Sequence, residues 1–165
     1  MVKAQLKNSV LPLFILLCLV APCIAAPQDL RSDVLGIRLG MKNTVVYEQL
    51  NKIGRKERDE RKRQEVWILN NDPHFSHIIF GFDTDMKISY VTAIARKDKD
   101  TQRVRFTEIG NLKQVKEKRT LPNNYQYIWN ITSRPAEPKG IVVVRGTDAQ
   151  YLATWSITTI IEGKN

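Results

Sequence analysis

The chain has 165 residues, and its 26 Lys and Arg against 17 Asp and Glu give a formal net charge of +9 at pH 7. This length, with 42% hydrophobic residues, suits one domain or two fused small units with a real core. Both cysteines, Cys18 and Cys23, lie in the first 25 residues. A chain that loses this segment therefore has no disulfide, thiolate nucleophile or cysteine metal site.

The N-terminus has the order of a secretory signal peptide. Two lysines precede an apolar run from Val10 to Val20, and small residues follow up to Ala26. The run is about half the length that a bilayer span needs, so we expect no transmembrane helix after processing. Residues 1–25 are the predicted signal peptide, with cleavage after Ala25, because cleavage after Ala26 would put Pro27 beside the cut. The mature protein is then periplasmic or extracellular, in solution or at a membrane surface.

Cys23 raises the alternative of a lipid-modified N-terminus. Pro22 stands where lipoprotein signals carry Gly, Ala or Ser, which favours an ordinary small residue at Cys23 over a lipidated one. Removal of the signal leaves a basic chain of about +7, which favours another envelope protein or an anionic envelope component as partner. Nucleic acid is not expected as a partner of an exported protein.

A helix is the first regular element predicted in the mature chain. Residues 26–33 form a polar lead-in, and Val34–Gly40 reads as a short extended segment. Asn43 or Thr44 can cap the helix that follows, and Gly54 can end it. Its apolar stripe at helical spacing is Val46, Leu50 and Ile53.

Strands are predicted after a charged segment, Arg55–Glu65, that we expect to be solvated. Three runs follow with the composition of β-strands: Glu65–Leu69, Ser76–Phe82 and Lys87–Ala95. The turn Asp83–Met86 between the last two predicts an antiparallel hairpin.

The second half repeats this order of elements. Ile109, Leu112 and Val115 predict a second short helix, and three strand-like runs follow around residues 125–129, 141–144 and 151–161. A shift of 62 residues lays one half on the other without a gap. Under this shift Trp67 falls on Trp129 and Phe80 falls on Val142, and we expect both tryptophans in the core.

The predicted fold is α+β. It consists of an antiparallel sheet with helices packed on one face, built as two tandem helix-plus-three-strand units over residues 34–96 and 97–165 that form one compact domain. The opposite face of the sheet stays open, and an open face is a natural docking surface.

The segment Ile37–Lys42, the helix that ends at Gly54 and the strand of Trp67 resemble the SmpA/OmlA-type domain of outer-membrane assembly lipoproteins. The doubled arrangement resembles the tandem fold of the β-lactamase inhibitor protein family. Both resemblances imply protein binding without catalysis. The chain departs from the pattern at Lys42, where a small hydroxyl residue is usual, and at Arg55–Arg63, which replaces a proline-containing turn.

The preferred hypothesis is a non-catalytic binding or scaffold domain, without cofactor, metal or catalytic residues. Its candidate contact residues are aromatic or basic: Tyr125, Tyr127, Tyr151, Trp155, Arg61, Lys62 and Arg63. A second hypothesis is a periplasmic hydrolase or metal-dependent enzyme around His74, His77 and Asp72, although two histidines alone make a poor metal site. A third is a binder of anionic lipid or cell-envelope polymer.

Overall fold

The computed structural model describes residues 29–57, 64–98, 102–132 and 137–160. The predicted signal peptide and its cleavage point at Ala25 lie outside these ranges. The described residues contain one α-helix, α1 (Asn43–Leu50), and a single 3₁₀ turn at Phe106–Glu108. Eight strands make up the rest of the regular structure: β1 (Gly54–Lys56), β2 (Gln64–Leu69), β3 (Phe75–Phe82), β4 (Ile88–Ala95), β5 (Glu117–Leu121), β6 (Asn124–Ile131), β7 (Gly140–Gly146) and β8 (Thr154–Thr159).

All eight strands belong to one antiparallel sheet with the order β1-β2-β3-β4-β8-β7-β6-β5. Each half is a meander, and the halves join where β4 pairs with β8, with Val91 opposite Ile157 and Ala93 opposite Trp155. The strands at the two edges, β1 and β5, are therefore the first strand of each half. The C-terminal strand β8 lies in the middle of the sheet.

One face of the sheet, here called the covered face, carries the core. Residues that face one another across an antiparallel ladder point to the same side of the sheet, so Trp67 shares its side with Ile78 and Ala93. These residues form one buried cluster with Val46 and Leu50 of α1 and with residues of the segments 29–42 and 102–116. The helix and these two segments thus pack against the same side of the sheet.

The predicted α+β fold, with helices packed on the sheet in two tandem helix-plus-three-strand units, is wrong, because the described residues form mostly one eight-stranded antiparallel sheet with a single α-helix. Each half contributes four strands, and only the first half contains an α-helix. Ile109 is fully buried and Leu112 and Val115 pack against the core, but they do so from a 3₁₀ turn and a loop. Gly110 lies there with room for no side chain, since a Cβ would come within 2.9 Å of Leu30. The apolar residues at helical spacing therefore pack against the core from a loop and not from a second helix.

The gapless superposition of the two halves also fails. Trp67 and Trp129 are each 3% exposed, and both lie on the strand next to an edge of the sheet. Across the ladder Trp67 faces Ile78, whereas Trp129 faces Val142. The shift matched Val142 with Phe80, so it does not carry through to the third strand of each half.

The first helix is shorter than predicted, ending at Leu50 instead of reaching Gly54, which begins β1. Asn43 is its first residue, and Lys42 precedes it in an extended conformation. Val46 and Leu50 are buried as the apolar stripe predicts. No helix within the described ranges is long and apolar enough to cross a membrane.

Candidate binding face

The second side of the sheet, here called the open face, carries side chains that lie outside the buried core. The ladder register places them opposite one another from strand to strand. Leu121, at the edge on β5, is 58% exposed on this side. The more buried apolar members come from both halves of the sheet: Val66, Ile68, Ile79, Tyr90, Ile94, Ile128, Ile141 and Val143. Seven inter-strand spacings make the whole face about 34 Å wide.

Burial separates this set from the core. Val143 is 6% exposed, yet it is not part of the buried cluster that includes its neighbours Val142 and Val144. The other apolar members are half-buried and do not pack against that cluster either. Contact with cross-strand neighbours alone is enough to leave a side chain on a sheet half-buried. Apolar areas of this kind on a protein surface are typical of an interaction site.

Tyr90 lies flat on the open face because its neighbour on β3 is a glycine. A Cβ on Gly81 would stand 2.2 Å from Cε1 of Tyr90, so the ring covers the position where a side chain would be. Gly81 and Tyr90 face one another across the ladder. Tyrosine supplies a large contact area with few rotatable bonds, which favours Tyr90 as a contact residue.

Hydroxyl side chains run through the middle of the open face, where the two halves join. Thr92 and Ser156 face each other across β4 and β8, and their Oγ atoms are 2.9 Å apart. Thr154 and Thr158 continue this band along β8. The face therefore has two apolar areas with a polar strip between them.

The rim of the open face is mainly basic. Arg55, Arg145 and Arg119 point to this side from β1, β7 and β5, and all three are exposed. Among the described strand residues of this face, Glu117 is the one acid, and its Oε1 lies 3.2 Å from Nε of Arg119. Arg55 and Arg145 thus remain as positive charges in one row across the sheet, Arg55 beside Ile68 and Arg145 beside Val143.

Two of the predicted contact residues are core residues instead. Trp155 is 0% exposed, and Tyr127 is 5% exposed with its ring 4.9 Å from that of Phe106. Tyr127 points to the covered face because it lies opposite Val144. The asparagines beside it suggested a surface position, but they belong to the turn before β6 and to its first residue.

The other predicted contact residues lie off the open face or outside the described ranges. Tyr125 is half-buried on the covered face and packs against the core. Tyr151 is half-buried in the loop before β8, with the guanidinium carbon of Arg103 4.2 Å from its ring centre. Arg61, Lys62 and Arg63 lie outside the described residues.

The histidine region makes structural contacts. Asp72 accepts hydrogen bonds from the backbone N–H groups of His74 and Phe75 at 2.9 and 2.7 Å, which fixes the turn before β3. His74 Nδ1 is 2.8 Å from the carbonyl oxygen of Gln102, and His77 Nδ1 is 2.9 Å from Ser76 Oγ. Over the described part of the chain, no group of three or more His, Cys, Asp and Glu could hold a metal ion.

Sequence reasoning missed every apolar member of the open face as a candidate site. The signal was present in β3 and β4, where Ile79, Tyr90 and Ile94 are apolar although they lie on the side of the sheet opposite the buried cluster. Such strands read like strands buried on both sides. Only the register of strand pairing shows which of the two alternating sets of side chains faces away from the core.

No family model, curated protein or solved structure matches this chain. The resemblance to SmpA/OmlA-type domains and to the β-lactamase inhibitor protein family therefore stays a prediction.

Proposed function

We propose that the exported chain is a non-catalytic binding module that recognises another envelope protein through the open face. The observation that carries the proposal is the set of β-branched and aromatic side chains on the side of the sheet opposite the core. Covering an isoleucine or valine contributes about 1.5–3 kcal/mol relative to full exposure, and half-buried side chains contribute part of that. Several such side chains suffice for a stable complex once the ordering costs are met.

The charge of the rim specifies the partner. Arg55 and Arg145 lie beside the apolar areas, and the chain as a whole is strongly basic. An apolar surface bordered by Asp and Glu would complement this face and would be steered toward it over long range. The occupant that we propose is therefore a protein with an apolar centre and an acidic border.

A site-specific photo-crosslinker at Ile79, in the middle of the face, tests the proposal in the native envelope. Val45 is the matched control, because it is an apolar residue 41% exposed on α1, in the layer that packs on the covered face. We expect an adduct from position 79 and none from position 45. The captured protein is then purified, and its affinity for the mature chain is measured.

Substitutions in the purified chain test whether the captured protein binds at the open face. Ile79→Asp should weaken binding at least tenfold, roughly the loss expected for a contact residue at the centre of an interface, while Val45→Asp should leave it unchanged. Arg145→Glu should slow association and reduce its salt dependence, whereas Lys113→Glu, on an exposed loop, should not. Equal effects of the paired variants would refute the proposal. Salt-sensitive binding to anionic vesicles would show that a lipid surface, and not an envelope protein, is the occupant. Capture of a second copy of the chain from position 79 would show that the open face is a contact between copies of this chain.

A further inference from the structure

A pocket of about 420 Å³ lies beyond the end of β4 and the start of β8, away from the centre of the open face. Its walls combine cations with a short apolar surface. The apolar surface comes from Ala95, Leu152 and Ala153. The polar lining residues are Arg96, Lys97, Asp98, Arg103 and Thr147, so one carboxylate lines the pocket with the three cations. Pockets that bind small molecules usually have this size or more, with few polar groups set in an apolar lining.

Two backbone carbonyl groups fix the orientation of the Arg96 guanidinium. Its Nε donates to the carbonyl oxygen of Asp72 at 2.9 Å, and its Nη2 donates to the carbonyl oxygen of Leu69. Its side chain is only 22% exposed. The remaining nitrogen, Nη1, lies 3.9 Å from Asp98 Oδ2, which is beyond hydrogen-bond distance. Arg96 is therefore oriented by two bonds to backbone carbonyls, and its Nη1, which carries two N–H groups, lies beside Asp98.

Arg103 is also positioned before any ligand binds. Its guanidinium carbon lies 4.2 Å from the ring centre of Tyr151, and its Nη1 is 3.6 Å from Asp148 Oδ2. Asp148 is itself fixed, because its Oδ1 accepts hydrogen bonds from the backbone N–H groups of Gln150 and Tyr151. A guanidinium held in this way loses little side-chain entropy on binding an anion.

We propose that this pocket binds an organic monocarboxylate with a short aliphatic tail. Among the described residues of this pocket, the three cations, the lining residue Asp98 and Asp148 beside Arg103 leave a net charge of +1, which matches one carboxylate better than a phosphate dianion. Arg96 and Arg103 would hold the carboxylate by charge-assisted hydrogen bonds. The tail would lie on Ala95, Leu152 and Ala153. This site is independent of the open face.

Calorimetric titration of the mature chain, residues 26–165, tests the site with three probes. N-acetyl-leucine carries both the carboxylate and the tail, N-acetylleucinamide lacks the charge, and inorganic phosphate lacks the tail. We expect N-acetyl-leucine to bind at least tenfold more tightly than either control, about the loss expected for a charge-assisted pair. Its amide NMR shifts should centre on Thr147, Leu152 and Ala153.

Variants separate the pocket from general basicity. Arg103→Gln and Lys97→Gln should each weaken N-acetyl-leucine binding several-fold, whereas Arg119→Gln on the edge strand β5 should leave it unchanged. Two removals are tested because Arg103 also contacts Tyr151 and its loss could disturb the loop. Absence of N-acetyl-leucine binding, equal binding of the amide or of phosphate, or equal effects of all three variants would overturn the proposal.

Discussion

Glu65 connects the first helix to the sheet. Its side chain is 12% exposed, and it accepts hydrogen bonds from Tyr47 Oη at 2.7 Å and from Trp67 Nε1 at 3.2 Å. Lys56 Nζ lies 2.7 Å from its Oε1. Burial alone raises the pKa of Glu65, but the bonds from Lys56, Tyr47 and Trp67 outweigh burial and hold that pKa below its usual value of 4.5. Burial, and then the bond to Glu65, raise the pKa of Tyr47 to about 12.

Replacement of this carboxylate should destabilise the fold in a pH-dependent way. Because the folded-state pKa is lowered, the stabilisation is present above the unfolded value and is lost as pH falls through the folded value. Glu65→Gln should cost about 1–3 kcal/mol at pH 7. The difference from the parent chain should shrink in acid, as pH falls through the lowered pKa of Glu65. Urea unfolding at pH 7 and along an acid series measures it, and a gap that stays constant would show that the charge contributes nothing.

Met86 occupies the left-handed region of the backbone, with a φ of 57°, in the turn between β3 and β4. A residue with a Cβ is strained there, and Asn tolerates the conformation better. Met86 is 44% exposed, so little packing is lost by its removal. We expect Met86→Asn to raise the free energy of unfolding by about 0.5–1 kcal/mol, measured by urea denaturation.

Asn123 provides the opposite test of the same effect. It has a φ of 58° in the turn between β5 and β6 and is exposed. Asn123→Ala should therefore lower the stability by a similar amount. If both substitutions shift the stability in the same direction, backbone strain is not the cause.

At the scale of elements, the edge strand β5 is protected by its charges. All five of its residues are exposed, and among the described strands only β6 pairs with it, so one side of its backbone has no neighbour there. Lysine on an edge strand discourages pairing with another chain. Lys118→Val should therefore increase self-association, measured by light scattering over a range of concentrations, without lowering the melting temperature. Lys113→Val, on a loop, is the control, and equal association of both variants would rule out edge pairing.

The difference between central strands and edge strands explains which strands could be predicted from the sequence. The strands around Trp67, Phe80 and Val91 were placed to within one or two residues, because burial leaves a run of β-branched and aromatic residues. Strands β1 and β5 were missed because edge strands need no apolar pattern, and Arg55 and Lys118 read as solvated. The second helix failed where Gly110 meets Leu30, a tertiary contact that local periodicity does not contain.

The candidate site was harder to predict from the sequence than the fold. Predicted contact residues were chosen for their aromatic or basic type, and two of them, Tyr127 and Trp155, are buried. The open face became visible only when Tyr90, Ile79 and Ile68 were placed on the side opposite the core by cross-strand register. Register depends on pairing between distant segments, and a single sequence specifies it weakly when both faces of a strand are apolar.

At the scale of the whole molecule, the export hypothesis predicts a processed chain. Expression of the full sequence in a host with a secretory pathway should yield a protein that begins at Ala26, identified by intact mass and N-terminal sequencing. A lipid adduct on Cys23 would support the alternative signal type. Recovery of only uncleaved chain inside the cells would contradict export.

The place of β8 in the sheet has a consequence for how the chain is made. Hydrogen bonds from β8 join β4 to β7, so a nascent chain that stops before Thr154 has two separate meanders, each with a bare inner edge. Neither meander can complete its inner edge until β8 is synthesised, and such distant pairing is slow to form. The export hypothesis requires an unfolded polypeptide during translocation, and a sheet that waits for β8 before its two halves pair favours that state.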